Sequence, residues 1–236
     1  MCGRFTQAFE DWSEVLAYFQ VIADGFSWPA RYNVAPTQDV PVIVADGNRR
    51  RIGPLSWGLV PRFATPKRPP VRPINARAET LLDSRWFRPL LARRRCAVPV
   101  DSFYEWRQDT KQPLRIRLRQ RPVFALAGIY DTFTGPDGRK VSSFAIVTCA
   151  PNEFMAAIHN RMPVILDDSA LAAWLDAGLT DADVAASLLR PSQEEMAAYP
   201  VHPRVGNVRH DDAALLQPYD HHGQGPEGSQ TTLGLP

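Results

Sequence analysis

The sequence predicts a single α+β domain: a largely antiparallel, barrel-like β-sheet with flanking helices. Three observations carry that prediction. Short strand-like segments are scattered from one end of the chain to the other. Helical patterns fall between them, and no internal repeat is present. A chain of 236 residues with 44% hydrophobic and 22% charged content has the composition of an ordinary globular domain.

The elements follow in order. "DWSEVLAYFQVI" (11–22) sets Trp12, Val15, Leu16, Phe19 and Ile22 at helical spacing, an amphipathic helix against a core. "PVIVA" (41–45) is a strand ended by the turn pair Asp46-Gly47. "PRFATPKRPPVRP" (61–73) holds too much proline for a helix or central strand, so an ordered surface loop is expected. "LRIRLR" (114–119) alternates Leu114, Ile116 and Leu118 with Arg115, Arg117 and Arg119, a half-buried strand with a basic, solvated face. "VFALAGIY" and "SSFAIVTCA" are buried strands joined through the turn "TGPDGRK". Helical patterns at 152–158, 169–178 and 182–189 complete the domain. It is expected to span residues 2–218, followed by a disordered tail, 219–236, whose last stretch "HHGQGPEGSQTTLGLP" lacks periodicity.

Charge is unevenly spread. Between residues 49 and 121 there are 19 Lys and Arg against 5 Asp and Glu, although the whole chain carries only +2. A basic middle between acidic flanks fits a polyanion-facing surface, and Arg is the better planar partner for phosphate. The start lacks the basic and apolar regions of a signal peptide, and no apolar run is long enough to span a bilayer. The three cysteines, 2, 96 and 149, form no CxxC pair and no even disulfide set. A reduced, cytoplasmic protein without membrane contact is therefore expected; a monomer is also expected, although nothing in the sequence fixes the oligomeric state. The five histidines show no ligand spacing, so neither a metal nor a cofactor is expected.

Four polar residues stand at strand ends or tight connections: Cys2 in "MCGRF", Asn75 in "PINARAET", Glu105 in "SFYEW" and His159 in "IHNRMPVIL". Cys2 follows the initiator methionine, so trimming of Met1 would leave an α-amine and a thiol on adjacent carbons. Cys96 and Cys149 lie in apolar strands and are simplest as core residues.

These segments, with "RYNVAPTQ" and "VGNVRHD", resemble in order and spacing the SRAP family, the SOS response-associated peptidases or abasic-site processing proteins. The resemblance covers about residues 2–218. It implies an α+β domain around a barrel-like sheet, with a positively charged groove for single-stranded DNA containing abasic sites. It further implies that Cys2 is the nucleophile of a covalent crosslink to the lesion, with Asn75, Glu105 and His159 as active-site partners. Arg4, Arg77, Arg85 and Arg161 match family positions that contact DNA phosphates, and Thr148 adds a hydroxyl contact. Two departures stand out: Ser102 replaces the usual glycine before "FYEW", and the proline loop offers Phe63 where tryptophans usually wedge against bases.

The chemistry requires these residue types. An abasic site exposes an aldehyde, which only a neutral amine attacks. An α-amine with a pKa of about 8 is neutral about two hundred times more often near pH 7.5 than a lysine at about 10.4. The imine is reversible and invites β-elimination of the strand; an adjacent thiol can close it into a thiazolidine. Glu105, beside Phe103, Tyr104 and Trp106, is expected to relay protons, His159 to protonate the sugar ring oxygen or assist reversal, and Asn75 to hold substrate or the Cys2 backbone. Two alternatives stay open: a thiol peptidase using Cys2, with lyase activity a further option beside crosslinking, and a non-covalent single-stranded DNA-binding module.

Overall fold

Alternating side chains sort the strands into two sheets whose apolar faces share a core. The computed structural model describes residues 2–47, 49–65 and 71–220. Its strands are β1 (Phe5–Gln7), β2 (Arg31–Val34), β3 (Asp39–Asp46), β4 (Arg49–Trp57), β5 (Asn75–Arg77), β6 (Arg95–Val100) and β7 (Ser102–Trp106). They continue as β8 (Pro113–Leu118), β9 (Phe124–Thr134), β10 (Lys140–Cys149), β11 (Met162–Pro163), β12 (Ile165–Leu166) and β13 (Met196–Pro200). The helices are α1 (Trp12–Tyr18), α2 (Phe87–Arg93), α3 (Glu153–Ala156), α4 (Asp168–Trp174) and α5 (Ala182–Ser187).

One sheet has the order β13-β8-β7-β1-β2. The other runs β11-β10-β4-β3-β6-β9-β12 and closes on itself because β9 also pairs with β10 over Lys140–Ile146. This is the predicted α+β, barrel-like architecture. Most pairings are antiparallel; β10 runs parallel to β4 and β5. The closure depends on Gly128, where a Cβ would stand 2.7 Å from the Cys96 sulfur and 3.2 Å from the Ala145 carbonyl oxygen. Cys96 and Cys149 are buried in this core, as are Trp57, Phe144 and Trp174.

The expected strands are present at 41–45, 114–119, 123–130 and 142–150, and Gly47 takes the left-handed φ of 58° that the turn requires. The helices are shorter than their patterns. The one expected over 11–22 is capped by Asp11, whose carboxylate accepts from the Ser13 N–H, and stops at Tyr18. Gln20 turns left-handed, at φ 54°, and Ile22 is 91% exposed instead of facing the core. The other three, capped by Asn152, Asp167 and Asp181, cover Glu153–Ala156, Asp168–Trp174 and Ala182–Ser187.

The basic face of β8 is only partly solvated. Arg115 is drawn into a network: its Nε donates to Ser102 Oγ (2.8 Å), Nη1 to Tyr199 (2.6 Å) and Nη2 to Asp101 (2.8 Å). The Ser102 hydroxyl is also shared with Thr6, so the residue that departs from the family glycine joins β1, β7 and β8. In the proline loop, residues 66–70 lie outside the described residues, as does the expected tail from 221 onward. Tyr219 packs on the domain, donating its N–H to the Pro200 carbonyl (2.9 Å). Among the described residues no helix is long and apolar enough to cross a membrane.

Candidate active site

The N-terminal segment enters β1, which lies beside β7 with Phe5 opposite Phe103, and the Tyr104 N–H donates to the Arg4 carbonyl (3.0 Å). Continuing that register brings Cys2 level with the end of β7, where Glu105 stands. From the other sheet, β5 delivers Asn75, whose Nδ2 donates to the Cys2 carbonyl oxygen at 2.9 Å. The site therefore sits where the two sheets meet. The Asn75 Oδ1 is buried and finds no hydrogen-bond partner among the described residues, which leaves an open acceptor on the residue that holds Cys2.

Glu105 is buried on β7, with Oε2 accepting from the Trp106 N–H (3.2 Å). His159 follows α3, where its own N–H returns to the Met155 carbonyl (2.8 Å). Its Nδ1 stands 3.8 Å from Glu105 Oε1 and accepts the Arg161 main-chain N–H at 3.1 Å. The Arg161 contact calls for an unprotonated Nδ1, with the proton of a neutral ring on Nε2, while Glu105 pulls the other way. The Cys2 thiol is fully buried; burial pushes its pKa up, and the negative charge of Glu105 adds to the rise. Cys2, Asn75, Glu105 and His159 are thus brought together, and the thiol stays protonated at neutral pH.

The residues expected at DNA phosphates divide into two groups. Arg77 and Arg85 are exposed and form no ion pair with the described residues. Beside Arg85, Trp86 meets the exposed Phe63 edge-on, with ring centroids 5.9 Å apart. Arg4, Thr148 and Arg161 are instead engaged internally. Arg4 donates to Asn33 Oδ1 (2.8 Å) and to the carbonyls of Val205 (2.6 Å) and Gly206 (3.1 Å). Thr148 is buried beneath Arg161, whose guanidinium grips Glu79 through both carboxylate oxygens.

Sequence reasoning missed Glu79 and the platform under Arg4. Asp211 accepts the Tyr32 and Asn33 N–H groups (2.6 and 2.9 Å), and Asn33 Nδ2 serves the Val205, Asn207 and His210 carbonyls. The motifs "RYNVAPTQ" and "VGNVRHD" are therefore two halves of one polar clasp, a pairing that only their common recurrence could have signalled.

Residues 1–208 match the family described as SOS response associated peptidase (SRAP). The chain is 41% identical over 224 residues to the abasic site processing protein YoqW of Bacillus subtilis, covering 92% of this chain and 99% of that one. It is 34% identical over 230 residues to YedK of Escherichia coli (92% and 100% covered), likewise named an abasic site processing protein. A crystal structure of a Bacteroides thetaiotaomicron protein superposes with a TM-score of 0.79 at 25% identity, over 92% of this chain and 100% of that one. The chain belongs to the SRAP family.

Proposed function

We propose that this protein acts on abasic sites in single-stranded DNA and links itself to them through Cys2, shielding the lesion. The observation that carries the reading is the Asn75 amide anchoring the Cys2 main chain beside a buried carboxylate and an imidazole. The names of the Bacillus and Escherichia relatives support abasic sites as the target.

Removal of Met1 frees the Cys2 amine. Its nitrogen bonds to the aldehyde carbon of the opened deoxyribose, and the aldehyde oxygen leaves as water, giving an imine. The thiol then adds across the C=N bond: sulfur bonds to carbon and the thiol proton ends on nitrogen. One water is released overall and no oxidant or reductant is needed. The five-membered ring removes the electron sink that β-elimination requires. Because the thiol is held protonated, a base must take its proton as sulfur attacks, and Glu105 is the neighbouring group for that transfer. His159, donating from Nε2, serves the sugar oxygen. Asn75 Oδ1 is left to accept from the freed amine or a sugar hydroxyl. Arg77 and Arg85 take phosphates, and Phe63 with Trp86 offers a stacking edge.

A buried thiol with a raised pKa is a poor peptidase nucleophile, which needs a thiolate at neutral pH. The deciding experiment uses Cys2→Ser in protein that begins at residue 2. It should still give a borohydride-trappable imine but lose the heat-stable adduct; an equally stable adduct would overturn the ring.

A further inference from the structure

We propose that Glu79 is a positioning residue for His159: its carboxylate fixes Arg161, and the main chain of Arg161 fixes the imidazole. This deepens the reading above, since it rests on His159 delivering a proton to the sugar.

The strap begins in the short 3-10 turn Ala78–Thr80, directly after the strand that carries Asn75. Glu79 accepts Nη1 of Arg161 at 2.7 Å and Nη2 at 2.9 Å, a two-point fork that fixes direction as well as distance. Nη2 donates further to the Thr148 carbonyl (2.7 Å) and hydroxyl (3.2 Å) on β10. Arg161 is therefore held against both β5's turn and β10, with its side chain only 16% exposed. Its Nε is buried without a hydrogen-bond partner among the described residues. That desolvation is a cost an open phosphate hook would not carry, and it fits a guanidinium built into the fold.

Only Asn160 separates Arg161 from His159, so the position of the guanidinium is passed to the ring. The Arg161 N–H donates to Nδ1 at 3.1 Å, while the Glu105 carboxylate stands 3.8 Å from the same nitrogen. These two neighbours ask opposite things of Nδ1. The N–H requires a bare nitrogen; the carboxylate favours a protonated one. Cys2, next to Glu105, stays neutral and does not alter the contest. While Glu79 holds Arg161, the N–H wins and Nε2 carries the donor. Arg161 also keeps the Glu79 carboxyl below its usual range, so the fork is intact at neutral pH and weakens only on acidification.

The test compares wild type, Glu79→Gln and Glu79→Ala. In DNA-free protein labelled with 15N-histidine, at about pH 8.5 where an ordinary imidazole is neutral, long-range 1H–15N spectra report the His159 tautomer. Wild type should show an unprotonated Nδ1; Glu79→Ala should move population to Nδ1–H, and Glu79→Gln, which keeps one acceptor, should move it less. In single-turnover crosslinking to an abasic oligonucleotide, the rate at saturating DNA should fall about tenfold in Glu79→Ala, the size of one lost positioning bond. The half-saturating DNA concentration should not rise, because the change removes a negative charge. A wild-type tautomer in both variants would overturn the proposal. So would a rate and a half-saturation that worsen in parallel with a lowered Tm. If wild type forms no crosslink, the proposed function fails, while the spectra still decide the role of Glu79.

Discussion

Replacing Asn75 by Ala removes the one side-chain donor that the Cys2 carbonyl has among the described residues, the 2.9 Å bond from Nδ2. A neutral hydrogen bond of this kind is worth about 1 kcal/mol net, and leaving a desolvated carbonyl without its donor raises the cost to about 3 kcal/mol. At about 1.4 kcal/mol per factor of ten, crosslinking should slow by about 5- to 150-fold. The loss belongs to the chemical step, because the bond places the attacking nitrogen and does not touch the groups expected at the phosphates. Asn75→Asp should be worse than Ala: an ionised carboxylate cannot donate to the carbonyl and adds a second negative charge near Cys2, where Glu105 already acts. The assay is single-turnover crosslinking against DNA concentration, paired with thermal melting. A Tm loss of more than about 10 °C would mean a folding defect, since about 3 kcal/mol accounts for no more than that in a domain of this size. A wild-type rate in Asn75→Ala with an unchanged Tm would refute the anchoring role.

Three other expectations follow from the same geometry. Alkylation of Cys2 by iodoacetamide should be slow and nearly flat from about pH 6 to about pH 9, because burial and Glu105 keep the thiol protonated past the point, about 8.5, where a free thiol ionises; a steep rise near pH 8 would contradict the buried site. Ser102→Ala should destabilise the fold by about 1–3 kcal/mol, since Arg115 Nε and Thr6 lose a shared buried partner, and urea unfolding should show a lower midpoint at unchanged slope; an unchanged midpoint would remove Ser102 from the network. Arg77→Ala with Arg85→Ala should weaken single-strand binding and reduce the salt slope by about 0.7 for each phosphate no longer neutralised, whereas an unchanged slope would place the DNA elsewhere.

What the sequence made legible follows a physical division. Strands β3, β8, β9 and β10 were readable because alternation or sustained apolar runs depend on neighbours within the strand. The end of α1 was not, because Gln20 turns left-handed without glycine, and nothing in "YFQVI" signals it. Of the site residues legible by family motif, Cys2, Asn75, Glu105 and His159 come together. The partners that arginines take in the fold were illegible, because they lie far along the chain. Arg115 finds Tyr199 across 84 positions, and Arg161 finds Glu79 across 82. The arginines of the basic segment looked alike as charges, yet folding sorts them into exposed cations such as Arg77 and internal fasteners such as Arg115.

Whether the amine and thiol of Cys2 form a ring with the lesion is decided by intact mass spectrometry of wild-type protein after incubation with an abasic-site oligonucleotide. The expected product is a heat-stable species at the mass of the protein lacking Met1 plus the oligonucleotide minus one water, absent when Cys2 is replaced by Ser. An adduct that retains Met1, or one that persists undiminished in Cys2→Ser, would contradict it.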